Sequence, residues 1–110
     1  MSEILARLEA VIAERRKALT RDPSLAERSH VARLMAKGLP KVAEKFGEEA
    51  VETLIAALAE DEARLAAEAA DLLFHLLVLL GARGVTLDAV LTELARREGQ
   101  SGVAEKEARK

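Results

Sequence analysis

Apolar positions recur at helical spacing along nearly the whole chain. Ile4, Leu5, Leu8, Val11 and Ile12 form one stripe, which predicts a helix from about Ser2 to Ala18. Asp22-Pro23-Ser24 interrupts the pattern, because proline disfavours helix at the residue before it, so Thr20 to Leu25 reads as a connection. A short helix follows from Ser29 to Lys37, stopped by Gly38. Pro40 suits the first turn of a long helix reaching about Glu60. Glu62 to Ala82 is the next helix, closed by Gly84, and Thr86 is placed to cap a last one ending at Arg97. From Leu65 to Ala82 the fourth segment is apolar nearly all round, unlike a helix with one solvent face. In so small a chain that predicts packing against a second subunit, a homodimer. The expectation is one all-α domain over residues 1–98, a bundle of four main helices plus one or two short ones. Gly99-Gln100-Ser101-Gly102 then breaks the pattern and leaves a basic tail, 99–110.

Composition agrees with helices. Ala, Leu, Glu and Arg dominate, β-branched residues are few, and no Cys supplies a disulfide or a thiolate. Lys plus Arg is 17 against 19 for Asp plus Glu, and aromatics are 2% of residues, so neither the basic surplus nor the stacking platforms of a nucleic-acid binder are present. The N-terminus has no basic n-region followed by an apolar stretch, and the longest apolar run, Leu76 to Ala82, is short for a membrane span. A cytoplasmic protein without membrane or nucleic-acid partners is expected.

The chemistry lies in two acidic clusters on the two longest helices, Glu48-Glu49-Ala50-Val51-Glu52 and Glu68-Ala69-Ala70-Asp71. Residues three apart share a helix face, so Glu49 with Glu52, and Glu68 with Asp71, stand in pairs about 4.5 Å apart along the axis. Like charges at that spacing destabilise a helix, and more so when buried. Burial is expected for the second pair, Glu68 and Asp71, since Asp71 sits in Ala69-Ala70-Asp71-Leu72-Leu73-Phe74, and no basic residue lies between Arg64 and Arg83 to neutralise it. A divalent cation held between the helices resolves the repulsion. All-oxygen ligands select a hard ion, Mg²⁺ or Mn²⁺. One E-x-x-E alone reads equally well as a solvated acidic face; two on successive helices are more specific. Such a site suits phosphoanhydride hydrolysis by a metal-activated water, with no protein nucleophile required.

E-x-x-E followed by E-x-x-D on antiparallel helices resembles the metal signature of the MazG-like all-α nucleotide pyrophosphohydrolases. The resemblance sharpens to the phosphoribosyl-ATP pyrophosphohydrolases over nearly the full length. It is carried by Ser29 to Leu34, Gly38, Lys41, Lys45 to Glu52, Glu68 to Leu80, Arg97, Ser101-Gly102 and Glu105-Lys106. It implies Mg²⁺-dependent cleavage of phosphoribosyl-ATP to phosphoribosyl-AMP and pyrophosphate, the second step of histidine biosynthesis. It places metal ligands and catalytic carboxylates at Glu49, Glu52, Glu68 and Asp71, with Glu48 beside them. His30 departs from the pattern, standing where the family usually has tyrosine, so any substrate contact there differs.

Lys45 precedes Glu48 and Glu49 and reads either as a phosphate contact or as a surface ion pair. Arg97, Lys106 and Arg109 flank the glycine break; the resemblance favours a tail closing over substrate, where spacing alone is equally consistent with a frayed end. Arg15, Arg16 and Lys17 read as a solvated helix end. His75 lies on the stripe of Glu68 and Asp71, either orienting Asp71 from behind or serving as a satisfied core histidine. Glu27-x-x-His30 matches half of a di-iron carboxylate motif, but no second copy exists. Two other functions compete: a MazG-like house-cleaning hydrolase of nucleoside triphosphates, and a non-catalytic dimeric helical module whose acidic face binds a basic partner.

Overall fold

A computed structural model describes residues 3–99. It contains α1 (Glu3–Arg21), a 3-10 turn at Pro23–Glu27, α2 (His30–Ala36), α3 (Leu39–Ala59), α4 (Glu62–Ala82) and α5 (Leu87–Arg97), and no strand among the described residues. The all-α expectation holds. Each junction has a local chemical cause. Ser29 caps α2 by accepting the Ala32 N–H at 3.2 Å, Asp61 caps α4 through Arg64 at 2.8 Å, and Thr86 caps α5 through Ala89 at 3.1 Å. Gly38 (φ +93°) and Gly84 (φ +72°) take left-handed turns that a side chain would strain.

The first junction differs from the sequence expectation. α1 continues to Arg21, and Pro23 opens a 3-10 turn rather than an irregular link. Only Asp22, directly before the proline, leaves helical geometry (φ −141°, ψ 87°), and its carboxylate accepts the Ser24 hydroxyl at 2.6 Å. Proline therefore broke the helix at one residue and started the next turn.

α3 and α4, joined only through Glu60 and Asp61, form an antiparallel hairpin, each arm 21 residues or about 32 Å long. α1 packs on α4, and α2 fills the angle between α1, α3 and α4. Their shared core is Ile12, Val31, Leu34, Val42, Leu77, Val78 and Leu87. The Glu9 carboxylate of α1 accepts the Leu87 N–H at 2.5 Å, which ties α5 to the bundle and satisfies one of its free N-terminal donors. α4 is long and apolar enough to cross a membrane by length and composition, at a mean hydropathy of 1.8. That exceeds what the run Leu76 to Ala82 led us to expect, because Glu68, Asp71 and His75 interrupt the sequence without lowering the average much.

The α1–α4 crossing is set by Gly81. A Cβ there would lie 2.7 Å from Cγ2 of Ile12, itself buried. Gly81→Val should destabilise the protein by about 2–3 kcal/mol despite the better helix former, since overpacking outweighs helix propensity. Chemical denaturation measures this; an unchanged midpoint would show that the two helices can separate at no cost.

Candidate active site

The α3–α4 hairpin brings the two acidic clusters together. One carboxylate oxygen from each of Glu49, Glu68 and Asp71 lies within 4.8 Å of the others. Glu52 lies outside that trio, near enough for its charge to act on Glu49 and Glu68. Two turns of α3 thus face two turns of α4 with carboxylates. Thr53 fixes the register: its hydroxyl donates to the Glu49 carbonyl at 2.8 Å and also lies 3.2 Å from the Glu68 carbonyl across the hairpin. Sequence reasoning passed over Thr53. The available signal was a lone β-branched hydroxyl, directly after Glu52, in a helix otherwise rich in Ala and Leu.

Burial corrects one expectation. Asp71 is exposed, and Glu68 is the buried acid, with 6% of its surface accessible. Successive helical residues turn by about 100°, so the apolar neighbours of Asp71 in sequence point to other faces. Asp71 stands at the open edge of the groove, while Glu68, one turn earlier, points inward.

The electrostatics of the groove are unfavourable as they stand. Burial, then the charges of Glu52 and Asp71, push the Glu49 carboxyl above its ordinary value. Burial, then Glu52 and Glu49, do the same to Glu68. The Oε2 of Glu49 is buried without any hydrogen-bond partner. A carboxylate oxygen in that position is costly unless something positive meets it. The donor set is oxygen only, which fits a hard divalent cation and no soft one.

Other candidates fall around this centre. Glu48 is exposed and turned aside, paired with Lys45 at 3.2 Å. The Lys45 ammonium is nonetheless raised in pKa by Glu48 first and then by Glu49 and Glu52, so it borders the cluster. The ion-pair reading of Lys45 is realised, without removing it from the site. His75 is buried, and its Nδ1 donates to the backbone carbonyl of Asp71 at 2.8 Å, not to its carboxylate. It steadies the helix beneath Asp71 as a core histidine. Phe74 meets His75 edge-on at 5.1 Å and His30 in a near-parallel stack at 5.8 Å, a ring series that single residues in the sequence did not reveal. Arg97 ends α5, where it contacts Glu93 at 3.1 Å, and Arg96 with Arg97 holds that carboxyl down to about 2. Lys106 and Arg109 lie outside the described residues.

The chain is similar to known proteins over nearly its whole length. A protein called phosphoribosyl-ATP pyrophosphatase from Novosphingobium aromaticivorans is 63% identical over 107 residues, covering 97% of this chain and 94% of its own. Its namesake from Erythrobacter litoralis is 64% identical over 105 residues, covering 96% and 95%. That from Rhizorhabdus wittichii is 59% identical over 109 residues, covering 99% and 97%. The model of the phosphoribosyl-ATP pyrophosphohydrolase family matches residues 5–98, which include the whole acidic groove, and the chain belongs to that family.

Proposed function

We propose that the chain hydrolyses phosphoribosyl-ATP between its α and β phosphates, releasing phosphoribosyl-AMP and pyrophosphate, as the second step of histidine biosynthesis. The observation that supports this most is the buried, unpartnered Oε2 of Glu49 among acids from two helices, in a chain 59% to 64% identical to proteins of that name. Glu49, Glu52, Glu68 and Asp71 are the residues we assign to Mg²⁺, with Mn²⁺ as its substitute. When bound, the ion screens the phosphates and lowers the pKa of an attacking water. Glu49 and Glu68 form the buried end of the groove and Asp71 its open end, so phosphates approach from the Asp71 side. Thr53 keeps the two backbones in register beneath the acids, and His75 holds the Asp71 carbonyl within α4. Lys45 offers a cation at the rim that Glu48 holds in place. Arg97, Lys106 and Arg109 supply further charge if the tail, 99–110, folds over the phosphates, a role taken from the family resemblance.

The working unit we propose is a homodimer. Val51, Leu54, Ile55 and Leu58 form an exposed stripe on the side of α3 opposite Glu49 and Glu52, and Leu73 on α4 is also exposed. Leu58 has 87% of its surface accessible. Contiguous apolar surface of this kind marks an interface. A second copy covering it also accounts for the apolar character of α4 as that of a core helix, in a soluble cytoplasmic protein with no nucleic-acid or membrane partner.

Pyrophosphate release with Mg²⁺ tests the assignment on phosphoribosyl-ATP and on a panel of nucleoside triphosphates. Turnover confined to phosphoribosyl-ATP is expected. Turnover confined to the panel would make the chain a house-cleaning hydrolase, and silence on every substrate would favour a binding module. In the same assay a chain ending at Gly99 should show a raised KM; an unchanged value would mean that the tail is idle.

A further inference from the structure

Beside the acidic groove lies a cleft of about 540 Å³ that no role yet described uses. Its walls include Arg15 from α1, Arg28 and Ser29 from the turn before α2, and the stacked rings of His30 and Phe74. It opens next to the acids: Phe74 follows Asp71 by three residues on α4, about 4.5 Å along the axis. Phe74 also touches His75, which is close enough to Glu49 to act on its charge. The cleft therefore starts, at Phe74, one helix turn from where the phosphoanhydride must lie, and carries two guanidiniums on its walls.

We infer that this cleft receives the other end of the substrate, with the adenine ring stacked on His30 and the phosphate of the N1-linked phosphoribosyl arm held between Arg15 and Arg28. The inference rests on the phosphoribosyl-ATP reading above. That substrate is anionic at both ends of a central purine: the acids with their cation take the triphosphate, and a remote phosphate needs a second, metal-free receptor. Guanidinium forks match phosphate geometry. An exposed imidazole backed by a phenyl ring gives a purine a ready face. Both arginines already have partners. Arg15 pairs with Glu14, and Arg28 reaches Asp22 at 3.0 Å and Ser24. These pairs are exposed, and surface pairs contribute little, so turning either guanidinium to a phosphate costs little. The volume falls in the ordinary range for a small-molecule site.

Steady-state kinetics on phosphoribosyl-ATP test this, with AMP as a competitive inhibitor that lacks the phosphoribosyl arm. Arg15→Gln and Arg28→Gln should each raise KM about tenfold, with kcat within about twofold, and leave AMP inhibition unchanged. His30→Ala should weaken both substrate and AMP by about tenfold, the effect of losing one base–aromatic stack, and His30→Tyr should recover both. If Arg28→Gln loosens the 3-10 turn, as a melt would show, Arg15→Gln decides, since Arg15 pairs with exposed Glu14 on its own helix and holds no turn together. KM within twofold of the parent in the arginine variants would overturn the cleft as the phosphate receptor while wild-type turnover stands. An inactive wild type would instead overturn the reading beneath it.

Discussion

Glu49→Gln should lower Mg²⁺-dependent pyrophosphate release by about 10²–10³-fold, the loss typical for removing one preorganised electrostatic group, and yet raise the melting temperature of the metal-free protein. Both effects come from the same oxygen. Oε2 of Glu49 is buried with no partner, among like charges from Glu52 and Asp71. Glutamine keeps the shape, removes the charge and so relieves repulsion that the apo fold otherwise carries. Without the charge, it cannot balance a divalent cation. The pH dependence has a defined sign. Glu49 and Glu68 hold their protons more tightly folded than unfolded, so the folded state binds more protons and stability falls as pH rises. In chelator, the wild type should therefore gain stability as pH falls through the raised folded values toward the ordinary carboxylate range. Saturating Mg²⁺ should flatten that slope, and Glu49→Gln should reduce it. Asp71→Asn should match the loss of activity with a smaller gain in apo stability, because Asp71 is exposed. Full activity in either variant would remove that residue from the centre.

Leu54→Glu with Leu58→Glu should convert the protein from a dimer to a monomer. The two side chains are 62% and 87% exposed on a stripe turned away from the acids, so the core of the described residues does not depend on them. Burying one leucine at an interface contributes about 1.5–3 kcal/mol, and two on each protomer, replaced by charges, should weaken association by at least about 10²–10⁴-fold. Sedimentation at micromolar concentration reads this as a change from twice the chain mass of 11.9 kDa to that mass. The thermal melt of the monomer should still be cooperative, because the core formed by Ile12, Leu34, Val42, Leu77 and Val78 lies within one chain. An unchanged mass for the variant, or a monomeric wild type, would place the interface elsewhere or remove it.

Much of this was legible in the sequence because the informative signals were local. Ser29, Asp61 and Thr86 announce helix starts by chemistry that needs nothing beyond the next three residues. The acids are paired by spacing within each helix, and one short turn at Glu60 and Asp61 suffices to bring the pairs face to face. What escaped depended on direction in space. Asp71 looked buried with Glu68 because its neighbours along the chain are apolar, yet its face is not theirs, and of that pair only Glu68 is buried. The His30–Phe74 stack joins residues 44 positions apart, and the Thr53 link to Glu68 crosses 15. Neither has a local mark. His75 stands on the right stripe, but which oxygen of Asp71 it meets is a matter of ångströms that periodicity does not carry.

Titrating Mg²⁺ by calorimetry into the protein with α,β-methylene-ATP, whose scissile bridge is carbon, shows whether a cation sits among the acids, with the nucleotide alone as reference. The wild type should take up magnesium beyond that of the nucleotide, and Glu49→Gln and Glu68→Gln should not. Heats identical with and without protein would contradict it, for the four carboxylates would then face one another with no cation between them.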